Sequence, residues 1–135
     1  MASYNKFNAF VLDITNKVHN LGSDVLTIAL TDVAPVATNS VLANLTQISY
    51  TNLSARVPTI TSNTQTSGTE KLILADLVLT ASGTVAQFRY VVLYNDTAAS
   101  DQLIAWWDYG SEINMLNTDT LTLDIDGTNG VLQIA

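Results

Sequence analysis

Apolar residues near the start of the chain recur at a spacing of three and four, as they do on one face of an α-helix. The set is Tyr4, Phe7, Phe10, Val11, Ile14, Val18 and Leu21, with polar residues mostly on the opposite side. Such spacing is typical of an amphipathic helix. Ser3 is a suitable N-cap, and Gly22 is a suitable residue to end the helix. The pattern therefore predicts one helix over residues 4–21.

After this helix the pattern changes to short extended runs. The run VLTIALTDV, residues 25–33, is a predicted strand that ends before Ala34-Pro35, because proline has no backbone N–H to donate. Residues 70–135 contain further strand-like runs, each bounded by turn residues: EKLILADLVLTA, TVAQFRYVVLYND, DQLIAWWDYG and the pair in TLTLDIDGTNGVLQIA. The predicted fold class is α+β, mainly β, an antiparallel β-sandwich or jelly-roll-like domain with one N-terminal amphipathic helix.

Residues 34–68 carry a weaker pattern. ATNSVLANLTQI allows either a short helix beginning near Asn39 or Ser40 or an ordered loop, and YTNLSARVPTI is expected to be extended. TSNTQTSGTE, residues 61–70, is rich in Ser, Thr, Asn and Gln and lacks an apolar anchor, which is typical of a surface loop or arm. At 135 residues, the chain is expected to form a single domain, residues 1–135.

Two predicted strands, FRYVVLY and LIAWW, are apolar on both faces. Strict alternation gives one strand a face made of Phe88, Tyr90, Val92 and Tyr94. One face of each strand can pack on a facing sheet, and the other can be covered by the helix or by a neighbouring subunit. We therefore expect self-association or docking on a larger assembly. The candidate core or interface residues are Phe88, Tyr90, Tyr94, Trp106 and Trp107.

The composition of the chain excludes several classes of partner and of site. Five Lys and Arg stand against twelve Asp and Glu, giving a formal net charge of −7, which argues against binding to nucleic acid. Cysteine is absent, which excludes disulfides and thiolate metal sites. Asn8, Asp13 and Asn16 interrupt the first apolar run, so we expect neither a signal peptide nor a membrane span. We therefore expect the protein to be synthesised in the cytoplasm and to stay soluble.

The histidine and the carboxylates do not form a recognisable catalytic motif. His19 is the single histidine and is expected at the end of the helix, where the dipole favours its charge. No Gly-x-Ser-x-Gly motif accompanies it. The acidic residues in or beside predicted strands are Asp76, Asp108, Glu112, Asp124 and Asp126. Acidic residues at strand edges commonly protect those edges from pairing, so no catalytic or cofactor-binding residue is predicted.

The segment DIDGTNG resembles the start of a calcium-binding loop. Counted from Asp124, however, position 12 is Ala135, where such a loop requires a bidentate Glu. The turn residues Asp126-Gly127 and Asn129-Gly130 instead favour a C-terminal hairpin. We therefore predict no metal site.

The segment Trp106-Trp107-Asp108-Tyr109 suggests a platform for sugar binding. Adjacent residues of a strand point to opposite faces, so the two indole rings cannot form one flat surface. At least one of them is therefore expected in the core.

The chain resembles a family of small virion proteins of tailed bacteriophages. The matching stretches are YNKFNAFV, HNLGSDVLTIALTDVAPVATNSVLANLTQI, SGTEKLILADLVLTASG, FRYVVLYNDTAASDQLIAWWDYG and DIDGTNGVLQIA. The resemblance implies a non-enzymatic particle protein, with capsid decoration or cement protein as the first expectation. The implied partners are the major capsid protein and further copies of the chain, and the implied location is the capsid surface of the virion. A tail component (tube, terminator or tip subunit) and a carbohydrate-binding adhesin remain as alternatives.

Overall fold

The computed structural model describes residues 2–135, apart from the side chain of Ser3. The strands are β1 (Ser3–Lys6), β2 (Leu26–Thr31), β3 (Ile60–Thr66), β4 (Thr69–Leu74), β5 (Leu77–Thr80), β6 (Phe88–Asn95), β7 (Leu103–Ile113), β8 (Thr120–Leu123) and β9 (Leu132–Ile134). Helix α1 spans Asn8–Thr15, and a 3₁₀ turn spans Leu42–Asn44. The predicted α+β, mainly β fold with antiparallel sheets and one helix is confirmed.

The strands form three antiparallel sheets. A four-stranded sheet has the order β1-β7-β6-β2, and two smaller sheets have the orders β3-β4-β9 and β5-β8. One face of the four-stranded sheet packs on the smaller sheets in a sandwich-like arrangement, and we call this interior the main core. On the opposite face, a second core contains Phe7, Ala29, Val92, Tyr94, Leu103 and Trp106. Leu42 and Leu45 cover it, so a loop rather than the helix closes this side.

The predicted helix over residues 4–21 is too long. Residues 3–6 form β1, in which Tyr4 pairs with Trp107 of β7, so Ser3 cannot cap the helix. Helix α1 follows Phe7 and ends before Asn16, and the next residue, Lys17, has a φ of 60°. Phe7 enters the second core while Phe10 enters the main core. Pairing with the open edge of β7 satisfies the backbone of residues 3–6, and this tertiary contact overrides the local helical pattern.

The interpretation of residues 61–70 as a loop or arm is also wrong, because these residues belong to a β-hairpin. Strand β3 pairs with β4 from Ile60↔Leu74 to Thr66↔Thr69. Ser67 and Gly68 connect them with φ angles of 52° and 86°. Two successive positive φ angles define the type I′ turn that suits the twist of a two-residue hairpin.

The C-terminal strands do not form the predicted hairpin. Strand β8 pairs with β5, and β9 pairs with β4, so the two strands lie in different sheets. The turn chemistry between them is nevertheless local, since Asp126 Oδ1 accepts hydrogen bonds from the backbone N–H groups of Thr128 and Asn129, both at 2.8 Å. Gly130 then adopts a φ of 78°. The turn exists, but it connects strands that find their partners elsewhere in the chain.

The strand predicted at residues 25–33 is observed as β2. The stretch after the 3₁₀ turn runs along the outer edge of β2, where Ile48 N–H donates to the carbonyl oxygen of Leu30 at 3.0 Å. The N–H of Ile28 donates to the carbonyl oxygen of Arg56 at 2.8 Å. Residues 47–56 therefore cover one edge of the four-stranded sheet.

Candidate functional site

The five aromatic residues predicted as core or interface residues occupy different environments. Phe88, Tyr94 and Trp106 are at most 9% exposed, while Tyr90 and Trp107 are half-buried. The pairing of β6 with β7 shifts register between Phe88 and Tyr90. The shift moves Phe88 into the main core, whereas Tyr94 and Trp106 lie in the second core. Strict alternation had placed Phe88 and Tyr94 on the same face.

An apolar groove of about 1130 Å³ opens on the described part of the chain. The four-stranded sheet contributes Val91, Leu93 and Trp107 to its lining. Helix α1 contributes Phe10, Val11 and Ile14, and residues 121–126 and 130–135 contribute a further set that includes Leu121, Leu123 and Ile134. The groove therefore gives access to the main core from solvent, between α1 and the C-terminal segment. We call it the apolar groove.

The mouth of the apolar groove carries large side chains that are not covered. Tyr4, Val11, Tyr109 and Ile134 line the groove and are between 43% and 51% exposed. The rings of Tyr4 and Trp107 meet edge to face, with centroids 5.6 Å apart and an interplanar angle of 67°. Tyr4, Trp107 and Tyr109 therefore form an aromatic end of the groove. Neighbouring positions in the sequence could not show this set, because Tyr4 lies far from Trp107 and Tyr109 along the chain.

Three charged residues line the apolar groove: Lys6, Asp124 and Asp126. Hydrogen bonds from the backbone and side chain of Asn129, and from the N–H of Thr128, lower the pKa of Asp126. Its carboxylate is therefore ionised at neutral pH. The groove combines an apolar lining with two acidic residues and one basic residue.

Two further carboxylates from the sequence prediction, Asp108 and Asp76, have hydrogen-bonding partners. Asp108 forms a two-point pair with Arg89, with Oδ1 2.7 Å from Nε and Oδ2 2.9 Å from Nη2. This pairing lowers the pKa of Asp108. Asp76 Oδ1 accepts a hydrogen bond from Ile125 N–H at 2.9 Å. Within residues 2–135, no three His, Asp or Glu side chains are grouped so as to hold a metal ion.

His19 does not lie at the end of α1, because the helix ends four residues earlier. Its Nδ1 lies 3.0 Å from Nδ2 of Asn95, and its ring centroid is 5.1 Å from that of Phe10. Asn95 Nδ2 also donates to Asp24 Oδ2 at 2.6 Å. Burial lowers the pKa of His19, although Asp13 and Asp24 act in the opposite direction. We therefore assign His19 to a partly buried polar cluster with Asn95 and Asp24 and not to a helix cap.

The fold is mainly β, and it carries an open apolar groove. No protein-family model, curated protein or solved structure matches the chain. In the part of the chain that the structure describes, no helix has the length and hydropathy needed to cross a membrane.

Proposed function

We propose that the protein is a bacteriophage virion structural protein, a capsid decoration (cement) protein that docks on the shell of major capsid protein and stabilises it. The observation that carries this proposal is the apolar groove, together with the resemblance of the quoted sequence stretches to small phage virion proteins. Large exposed apolar patches on soluble proteins mark interaction sites, because leaving them in water is unfavourable. A non-enzymatic docking role requires such a surface and no catalytic group.

In this proposal, an apolar segment of the capsid shell fills the groove. Trp107, Tyr109 and Val11 provide contact area near its mouth. The ionised Asp126 and its neighbour Asp124 favour a segment that carries Lys or Arg beside its apolar residues. Because the protein would bind only the assembled shell, each occupied site would shift the equilibrium toward the intact particle.

Binding to shells that lack the protein tests this proposal. The purified protein is mixed with such shells, and the bound fraction is measured by co-sedimentation, followed by the temperature at which the shells break open. Val11→Asp should weaken binding, since it places a charge at the mouth of the groove. Val33→Asp is the matched control, because Val33 is similarly exposed but does not line the groove. Equal binding by both variants would reject the groove as the docking surface.

Locating the protein in a cryo-EM map of the intact particle tests the virion role itself. Many copies on the capsid surface would support decoration. A few copies at the tail would contradict it and would support a tube, terminator or tip subunit. Absence from the particle would reject both.

A second candidate function, carbohydrate binding by an adhesin, is favoured by the aromatic end of the groove. Tyr4, Trp107 and Tyr109 line the same groove as the acidic residues Asp124 and Asp126. Bacterial polysaccharides should then quench the tryptophan fluorescence, and Trp107→Phe should remove most of that response. An unchanged spectrum across a broad set of glycans would count against this function.

A further inference from the structure

The outer edge of β3 is open. Strand β3 is the terminal strand of the sheet β3-β4-β9, so it has one hydrogen-bonded neighbour. Among the backbone hydrogen bonds of turns and loops in residues 2–135, none involves the N–H or C=O of residues 62–66. A strand edge in this condition is a template for pairing with another strand.

The hairpin turn determines which backbone groups point to that edge. In a two-residue type I′ hairpin, the residues flanking the turn form a hydrogen-bonded pair, and here they are Thr66 and Thr69. Hydrogen-bonded and non-hydrogen-bonded pairs alternate along an antiparallel ladder. Thr64 therefore directs its N–H and C=O toward β4, whereas Asn63 and Gln65 direct theirs outward. The free edge offers two donors and two acceptors.

The same edge lacks the usual protection against pairing. Residues 61–66, with the sequence TSNTQT, contain no charged residue and no proline. Proteins commonly protect edge strands with Lys, proline or a bulge. The single irregularity lies between Ile60 and Ser62, at the start of the strand. In a chain of net charge −7, this uncharged edge is a surface that two copies can bring together without placing like charges in contact.

We propose that β3 pairs antiparallel with β3 of a second copy of the chain, about a two-fold axis at Thr64. Asn63 then exchanges two backbone hydrogen bonds with Gln65 of the second copy, and the symmetric pair exchanges two more. Thr64 lies directly opposite Thr64 of the second copy as a non-hydrogen-bonded pair. The product is a six-stranded sheet with the order β9-β4-β3-β3-β4-β9. Such an isologous contact is closed, so it produces a dimer and not a filament.

This pairing does not depend on the virion role, and it uses a different surface from the apolar groove. The contact is small and polar, because most side chains of β3 are exposed Thr, Ser, Asn and Gln. A contact of this size is weak in dilute solution and forms where copies are concentrated. It would therefore strengthen when the protein is held close to other copies on a larger surface.

Single cysteines test the register, since the natural chain has none. The variants are Thr64→Cys, Ser62→Cys and Thr66→Cys, whose side chains share the solvent face of β3, as the 3.2 Å contact between Ser62 Oγ and Thr64 Oγ1 indicates. Thr64→Cys should form disulfide-linked dimers at least roughly tenfold faster than either other variant alone, because a disulfide requires closely opposed Cβ atoms. Non-reducing gels over time measure the rates.

Ser62→Cys and Thr66→Cys lie away from the two-fold axis, and these off-axis variants supply a stricter test. Residue 62 lies opposite residue 66 of the second copy, so a mixture of Ser62→Cys and Thr66→Cys should cross-link mainly into mixed dimers. Equal rates for all three variants, or faster pairing of Ser62→Cys with itself, would reject the proposed register. A protein that stays monomeric at high concentration and shows no preference among the variants would reject the pairing altogether.

Two substitutions at Gln65 separate the contribution of its backbone N–H to dimer formation from the contribution of its side chain. In the Thr64→Cys background, Gln65→Pro removes an outward N–H and should reduce cross-linking to the level of the off-axis variants. Its side chain also accepts a hydrogen bond from Gly68 N–H at 3.0 Å, which the substitution removes. Gln65→Ala is the matched control, because it removes that side-chain bond and keeps the backbone N–H. Cross-linking that survives Gln65→Pro, or that is lost equally in Gln65→Ala, would contradict the proposal.

Discussion

Trp106 and Trp107 are adjacent in the chain, but their indole rings lie on opposite faces of β7. Trp106 packs against Phe7 in the second core, with ring centroids 4.4 Å apart. Trp107 contacts Tyr4 and lines the apolar groove. The strand therefore places one ring in the interior of the molecule and the other in the lining of the apolar groove.

The two tryptophans should differ in their effect on stability. Trp106→Ala removes a nearly fully buried ring and should lower the free energy of unfolding by about 3–5 kcal/mol, because the transfer free energy is lost and a cavity is left. Trp107→Ala should cost clearly less, since that ring is half-buried. Urea unfolding measures both values. An equal loss for the two variants would contradict the assignment of Trp107 to an open surface.

The stability of the protein should fall on mild acidification because of His19. Its pKa in the folded state is below the ordinary value of 6.5, so the unfolded state binds the proton more readily. The free energy of unfolding should therefore decrease as the pH falls through 6.5 toward the lower pKa of the folded state. Below that folded-state pKa, the contribution of His19 stops changing.

His19→Gln is the control for this pH dependence. It keeps a polar side chain near Asn95 but does not titrate between pH 5 and pH 8. Melting temperatures measured over that range should change less with pH in the variant than in the parent protein. Parallel curves would show that His19 does not cause the pH dependence and would reject this prediction.

Two glycines of the C-terminal turn should respond differently to substitution. Gly130 has a φ of 78°, and a Cβ added there would collide with the carbonyl oxygen of Leu72. Gly130→Ala should therefore lower the free energy of unfolding by more than about 2 kcal/mol. Gly127 has open space around its Cα, so Gly127→Ala should stay within about 0.5 kcal/mol of the parent. A mild effect at Gly130 would mean that β4 and the turn are not in close contact.

Removal of divalent cations should leave the melting temperature unchanged. Both oxygens of the Asp126 carboxylate accept hydrogen bonds within the turn, including one of 2.8 Å from Nδ2 of Asn129 to Oδ2. Hydrogen bonds within the turn therefore hold its conformation without a cation. Calorimetry with and without a chelator provides the measurement, and a lower melting temperature in chelator would indicate a bound cation.

The strands with strong local signals were predictable from the sequence. Strands β2, β6 and β7 are long runs rich in β-branched and aromatic residues, and such runs favour extended structure in most contexts. Their two-sided apolar character also indicated correctly that both faces need cover. The face of each residue was less predictable, because the register shift beside Phe88 exchanges faces without any sign in the sequence.

Features that depend on distant partners were missed for a physical reason. Local turn residues suggested a hairpin for β8 and β9, but β8 pairs with β5 and β9 pairs with β4, and both partners lie far away in the sequence. Strand β3 has no apolar alternation, because most of its side chains face solvent. The Ser67-Gly68 pair was the one local signal that could have identified this hairpin. The apolar groove combines residues from both ends of the chain, so no single stretch could have indicated it.

The pairing of β1 with β7 has a consequence for how the chain folds during synthesis. Tyr4 can pair with β7 only after Trp107 has been synthesised, and Leu72 of β4 can pair with β9 only after Leu132 has been synthesised. Neither sheet can be completed while the ribosome still holds the second partner, and contacts between residues far apart in sequence form slowly. The emerging chain must therefore keep its first strand unpaired for about a hundred residues of translation, which makes that interval the stage at which a chaperone would be most useful.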